Sequence, residues 1–339
     1  MAIEFFTGFE GCNVTNDALA FLTEYSGTDL YNIVLELHET GGFGGSKCIR
    51  SWSVNNGIYS KRIWFAKNTV AAKTKVVGWH INGYGQAGYD NNPRYCVLRF
   101  VAGSAHIGIF NTSAGLKVYR GSIEIASSAT VLPNTALHLE VKLFSDSADG
   151  GIQIKHNGIL VLDEPTGLNT GGDNVSKIIW GCTDTDLRYW DNLFIADDWQ
   201  GELKSFLLQP TADDVAEFVP SSGSDNYAMV QDNDGDANYV ESDVVDAKDL
   251  YEFADLVDPY EIAGISVVAV ARKDDVGARL LQPLLEHSGV EYDLASFILG
   301  ESYPSGFGTA QYQVLSVMPN SDPFDMANVN AMKLGYKVV

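Results

Sequence analysis

The sequence predicts an all-β protein, a β-sandwich followed by a second, smaller β-sandwich, and three observations carry that expectation. Long helical periodicity is almost absent. Short apolar or alternating runs recur instead, separated by clusters of Gly, Asn, Asp and Pro. The content of Gly, 33 residues, and of aromatics, 11%, suits many short strands joined by tight turns.

Strand-like runs fall at 33–36, 58–65, 75–81, 95–101, 106–111, 116–120, 136–144, 152–156, 159–162, 177–180 and 189–195. Spacing of this kind reads as a sandwich. Alternation is clean at 138–143: Leu139, Val141 and Leu143 share one face, and His138, Glu140 and Lys142 share the other. Asn157-Gly158 then predicts a tight hairpin, because both residues tolerate the positive φ of a type I′ turn. After Trp199 the character changes, with punctuation at Pro210, Pro220 and 221–224. Strand-like runs resume at 227–230, 263–271, 280–285, 296–299, 311–317 and 332–339, and a short helix is expected over 246–256 from Leu250, Tyr251, Phe253 and Leu256. The expected domains are therefore 1–200 and 201–339.

The net charge of −22 is unevenly placed. Residues 200–339 hold 24 acidic and 7 basic side chains, against 20 and 15 in residues 1–199. Such a surface repels phosphate backbones, so nucleic-acid binding is disfavoured, most strongly in the second part; solubility and resistance to self-association are the plainer consequences. No run of 18 apolar residues is present, so no membrane insertion is expected. The opening stretch MAIEFFTGFEG has neither a basic n-region nor an apolar h-region, which leads to the expectation of cytoplasmic synthesis without a signal peptide. Cys12, Cys48, Cys96 and Cys182 lack metal-site spacing and read as small buried hydrophobes, with a disulfide formed outside the cell as the alternative.

Three stretches resemble the concanavalin A-like lectin/glucanase (laminin-G-like) sandwich: Leu137-His138-Leu139-Glu140-Val141-Lys142, Ile152-Gln153-Ile154-Lys155-His156-Asn157-Gly158 and Tyr189-Trp190-Asp191-Asn192-Leu193-Phe194-Ile195. Phe6-Thr7-Gly8-Phe9-Glu10 fits that family's first strand, which usually pairs with the last. The likeness spans roughly 1–200 and implies a jelly-roll fold while saying little about function. The second part resembles the C-terminal domain behind such sandwiches in tailed-bacteriophage virion structural proteins. The matching pieces include Ala237-Asn238-Tyr239-Val240, Ala247-Lys248-Asp249-Leu250-Tyr251, 265–274 and Val329-Asn330-Ala331-Met332-Lys333-Leu334-Gly335. This resemblance implies a non-enzymatic structural component displayed on capsid, collar or tail, located on the virion. Its partners would be other virion structural proteins and further copies of itself.

Catalytic chemistry is not expected. Sandwich glucanases use an E-x-D-x-E strand for acid and nucleophile roles, and that pattern is absent. Glu36 and Glu39 fall on opposite faces of a strand. The six histidines (His38, His80, His106, His138, His156, His287) lack HxxE or HExxH spacing, and His106 and His138 read as partly exposed, hydrogen-bonded strand residues. The loop at 41–45 is Gly-rich but has no phosphate-binding Lys. No cofactor is expected.

Two binding features remain. Asp232-Asn233-Asp234-Gly235-Asp236 starts like a calcium loop, but Gly235 falls early and Asp243 stands at the twelfth place, so an acidic turn is the better reading. Trp79, Tyr84, Tyr89 and Tyr95 surround the Gly- and Asn-rich stretch 82–92 and are the candidates for a glycan platform. The alternative function is thus an adhesin module that attaches to a host surface glycan.

Overall fold

The computed structural model describes residues 3–7, 24–26, 33–38, 48–53, 62–82, 97–133, 135, 137–183, 188–231, 237–257, 261–273, 279–299 and 309–339. The chain divides into two compact units, which part between Ser205 and Phe206.

The first unit contains β1 (Ile3–Thr7), β2 (Glu24–Ser26), β3 (Ile33–His38), β4 (Cys48–Ser53), β5 (Arg62–Ala72), β6 (Thr74–Asn82), β7 (Leu98–Ala102) and β8 (Ala105–Thr112). It continues with β9 (Gly115–Arg120), β10 (Ile123–Ser128), β11 (Leu137–Phe144), β12 (Gly150–His156), β13 (Ile159–Leu168), β14 (Val175–Thr183) and β15 (Arg188–Ala196). One sheet runs β13-β12-β11-β6-β15-β4-β3, with β1 also paired to β15; the other runs β10-β9-β8-β7-β14-β5-β2. All pairings are antiparallel, and successive strands cross repeatedly between the sheets, which makes this a jelly-roll sandwich of the concanavalin A-like kind.

The interior is built from alternate residues of each strand. Val77, Trp79 and Ile81 of β6 lie in register with Val141, Leu139 and Leu137 of β11, and all six are buried. Leu98, Phe100, Ile178 and Trp180 supply the opposing face, fully enclosed. Burying side chains of this size contributes roughly 1.5–3 kcal/mol each, which fixes strand register because a one-residue slip would expose the whole row. The Asn-Gly turn forms as expected between β12 and β13, with φ of 48° at Asn157 and 78° at Gly158. The first strand pairs with the last, Phe6 opposite Phe194 and Thr7 opposite Leu193.

The second unit contains β16 (Pro210–Ala216), β17 (Val219–Pro220), α1 (Asn226–Val230), β18 (Val240–Glu241), β19 (Lys248–Phe253), β20 (Ile265–Ala271) and β21 (Arg279–His287). After these come β22 (Val290–Asp293), β23 (Phe297–Leu299), β24 (Thr309–Leu315), α2 (Met326–Ala331) and β25 (Met332–Val338). A sheet of order β16-β19-β25-β21-β22, with β23 also on β21, forms its centre, and β17-β18 and β20-β24 are separate ribbons. Ile265, Val267 and Leu315 of the β20–β24 ribbon pack on a cluster of Leu285, Leu294, Met318, Phe324, Val329 and Met332.

Two local expectations are corrected here. Residues 248–253 form the strand β19 and not a helix: β19 lies between β16 and β25, and Asp249, Leu250 and Tyr251 are all buried. A pattern of adjacent and i+3 apolar residues suits either period, and sheet pairing decides it. Conversely, the strand-like run at 227–230 is the single-turn helix α1. The Asp213 carboxylate on β16 accepts the backbone N–H groups of Asn226 and Tyr227 at 2.9 and 2.6 Å, satisfying donors a helix start leaves open.

Candidate functional site

The first unit carries its densest set of chemically capable side chains on the outer face of β6, β11 and β15, where the sequence pattern predicts solvent. His80 of β6 stands opposite His138 of β11 on one side and Asp191 of β15 on the other. The two imidazoles lie side by side, tilted by 37°, with centroids 4.9 Å apart, and His138 continues onto the Phe194 ring at 6.3 Å. Phe194 can lie flat there because its neighbour across the strand pair is Gly78; a Cβ at that position would sit 2.2 Å from the ring.

A bulge in β15 brings in a fifth group. Register shifts between Asp191 and Phe194, Asn192 takes a φ of 48°, and the Asp191 carboxylate accepts the Asn192 N–H at 2.7 Å. The Asn192 side chain then meets His80 Nδ1 at 3.2 Å through its Nδ2, while its Oδ1 accepts the Ser205 hydroxyl at 3.3 Å. With its oxygen so engaged, the amide donates to Nδ1, which leaves the His80 proton on Nε2. Nε2 lies 3.8 Å from the Glu202 carboxylate.

What hides these groups is the chain immediately after β15. Residues 198–205 cross the outer face as an irregular strap. Glu140 Oε1 accepts the N–H groups of Gln200 and Gly201 at 2.9 and 3.0 Å. Asp198 anchors the near end by accepting Lys142 Nζ at 2.7 Å and its own neighbour's N–H at 2.9 Å. The Trp199 ring lies under Lys155 Nζ, 4.1 Å from its centroid, a cation–π contact. Beneath the strap His80 and His138 are each 3% exposed and Glu140 is 1% exposed.

Burial governs the electrostatics. It pushes the His80 imidazole down to about 3, with repulsion from His138 and Lys204 adding to the effect, and the His138 imidazole down to about 4. Both rings are neutral at pH 7, so the approach of Glu202 to His80 is a polar contact and not an ion pair. Among the described residues, His138 Nε2 and Glu140 Oε2 have no hydrogen-bond partner.

Two imidazoles, a glutamate and an aspartate are the side chains of acid–base chemistry, but this arrangement does not free them for it. Glu140 is engaged by backbone N–H groups, the rings lie under protein, and a general base must reach a substrate proton within hydrogen-bond distance. No group of three or more His, Cys, Asp or Glu able to hold a metal ion occurs among the described residues. No helix among them is long and apolar enough to cross a membrane.

Of the glycan candidates, Trp79 is fully buried and its ring packs inside the sandwich. Tyr84, Tyr89 and Tyr95 lie outside the described residues, as does the acidic stretch 232–236. Cys12 and Cys96 lie outside them too, and of Cys48 and Cys182 only the backbone is described. His106 is exposed, whereas His138 is buried, contrary to the partial exposure its polar-face position predicts. The pairing of His80 with His138, 58 positions apart, left no local signal; only the strand register shows it.

No family model matches the chain, and no curated protein matches it. Solved structures similar to it include the cellulose-induced protein Cip1, at 16% identity over 58% of this chain and 99% of that one, with a TM-score of 0.45. A Bacillus subtilis protein with a galectin-like fold gives 11% identity, 58% and 96% coverage, and a TM-score of 0.39. Domain 4 of the Geobacillus stearothermophilus arabinanase AbnA, solved with arabinotriose, gives 11%, 57% and 93%, and 0.34.

Proposed function

We propose that this chain is a non-enzymatic structural component of a tailed-phage virion, displayed on the particle surface and working by protein–protein assembly with other virion proteins and with copies of itself. The reading rests on the sequence resemblance of the second part, 201–339. The observation that favours it over catalysis is the strap: the side chains in the first unit best equipped for acid–base work are roofed by residues 198–205 and held by backbone hydrogen bonds. Mass spectrometry of purified particles, with labelled antibody located on intact virions by electron microscopy, tests it. Absence of the protein from purified particles overturns the reading.

A second reading, glycan attachment through the first sandwich, has one observation in its favour. On the outer face of the second sheet Arg99 and Tyr119 stand, both half-buried, on either side of the buried Gly108. Tyr119 is half-buried, meets Phe110 edge-on at 5.3 Å and donates to Glu124 at 3.1 Å. An aromatic face bordered by hydrogen-bonding side chains is the make-up of a sugar site. Glycan-array binding that disappears in Tyr119→Ala would support it, and no binding on the array would remove it.

A further inference from the structure

We propose that residues 198–205 form an acid-released clasp: when His80 and His138 take up protons, the strap lets go of the outer face of β6, β11 and β15 while the sandwich beneath stays folded. This goes beyond the assembly reading and does not depend on it. The geometry supplies both parts of such a device, a pair of imidazoles sealed from water and a cover whose grip passes through the same few groups.

Three contacts hold the cover at the cluster: the two N–H groups on Glu140 Oε1, the Ser205 hydroxyl on Asn192, and Glu202 beside His80. Asn192 and Glu202 meet His80 itself, and Glu140 stands two residues from His138 on the same strand, β11. A proton arriving on either ring places a cation in a site with little water to solvate it. A second proton sets two cations with ring centres 4.9 Å apart. His138 Nε2 has no acceptor in the closed form among the described residues.

The charged groups facing the pair, among the described residues, come from every element packed there. β11 contributes Glu140 and Lys142, β12 contributes Lys155, β15 contributes Asp191, and the strap contributes Asp198, Glu202 and Lys204. Lys142 and Asp198 neutralise each other at 2.7 Å, and Lys204 opposes a charge on His80. Glu140 is committed to the strap N–H groups, so any movement of it towards an imidazolium weakens the clasp. Glu202, 3.8 Å from His80 Nε2, attracts an imidazolium and so opposes release, but burial outweighs it, as the lowered His80 value shows.

Opening returns both rings to water, where an imidazole titrates near 6.5. Each histidine therefore favours the open form by about tenfold for every pH unit below about 6.5, until the value of the closed form is reached. For two rings held down to about 3 and about 4, that range covers the acid side of neutrality broadly.

Hydrogen–deuterium exchange of the full chain at pH 7, 5 and 4, corrected for intrinsic exchange rates, tests the clasp. The amides of Gln200 and Gly201 should lose at least tenfold in protection between pH 7 and pH 4, while those of β8 and β9 keep theirs. In the double variant His80→Gln, His138→Gln the strap should stay protected at pH 4. Unchanged protection in the natural chain, equal loss in the double variant, or simultaneous exchange of β8 and β9 each overturns the proposal. Should the variant fail to fold, nuclear magnetic resonance titration of the imidazoles in the natural chain decides. Midpoints below pH 5 that track strap opening support it, and midpoints near 6.5 with a closed strap overturn it.

Discussion

Each unit buries a cluster of polar side chains around one carboxylate, and the two clusters are finished differently. In the second unit Asp249, with no exposure, accepts the N–H groups of Glu217 and Phe218 on one oxygen, at 2.8 and 2.9 Å. Its other oxygen accepts Asn226 Nδ2 at 2.7 Å and the Tyr251 hydroxyl at 2.8 Å. The Tyr336 hydroxyl lies 3.1 Å from that of Tyr251, and with Tyr251 donating to Asp249 it completes a chain of donors. In the first unit Glu140 has donors on one oxygen only, and His138 keeps a buried nitrogen without a partner among the described residues. A cluster whose atoms are all paired acts as a lock that ties β19, β25, α1 and the residues between β16 and β17 together. A partly paired one is held by its cover and yields when its charge changes.

The largest effect that would break this comparison is expected at Asp249. Asp249→Ala takes an acceptor from four donors, of which the Glu217 N–H keeps the Lys248 carbonyl at 3.1 Å, and should destabilise the second unit by about 3–5 kcal/mol, read as a shift of its transition in urea denaturation of the full chain. A loss below about 1 kcal/mol would show that the network is not a lock.

Glycine substitutions sharpen the same contrast. Gly335→Ala would set a Cβ 1.9 Å from the backbone oxygen of Asp249, which cannot swing aside, whereas Gly78→Ala would meet the Phe194 side chain at 2.2 Å. We expect Gly335→Ala to cost more than Gly78→Ala, and the latter about 1–3 kcal/mol, compared by thermal denaturation. Gly78→Ala should also raise the exposure of the strap, since Phe194 would be pushed towards it.

The pH dependences of the two units should run in opposite directions. His80 and His138 have lowered values in the folded state, so the unfolded chain binds more protons below about 6.5 and the first unit loses stability as pH falls from there towards about 3. Burial raises the Tyr251 and Tyr336 hydroxyls, so the unfolded chain releases protons first and the second unit weakens as pH rises above about 10. Denaturation midpoints across pH 4–11 check both signs. Ultraviolet titration should leave Tyr251 and Tyr336 un-ionised at pH 11 in the folded chain.

The smallest expected effect is at the rim of the strap. Lys155→Ala removes the cation over Trp199 and should change stability by about 0.5–1 kcal/mol, with a measurable change in strap exchange at pH 7 but none in β8.

Much of the fold was legible because it depends on local rules. The alternation at 138–143 sets Leu139, Val141 and Leu143 inward, Asn157-Gly158 makes its turn, and the run before the C-terminus becomes β25. Even the pairing of the first strand with the last agrees with the resemblance. The candidate site was not legible. A strand's period of two says which residues share a face, but not whether that face meets water. His138 and Glu140 looked solvated by that rule, and a segment some sixty residues downstream covers them.

The sequence by itself thus determined an all-β protein, the composition of its first interior and the concentration of negative charge in its second part. Only the tertiary structure decided that 248–253 is a strand and 226–230 a helix, since Asp213 and the neighbouring strands supply partners no local pattern contains. It alone decided which polar side chains are shut away from solvent, because burial is set by what packs on a residue and not by its place in the chain. The acidic all-β chain therefore has, on the outer face of its first sandwich, a closed set of imidazoles and carboxylates governed by their cover.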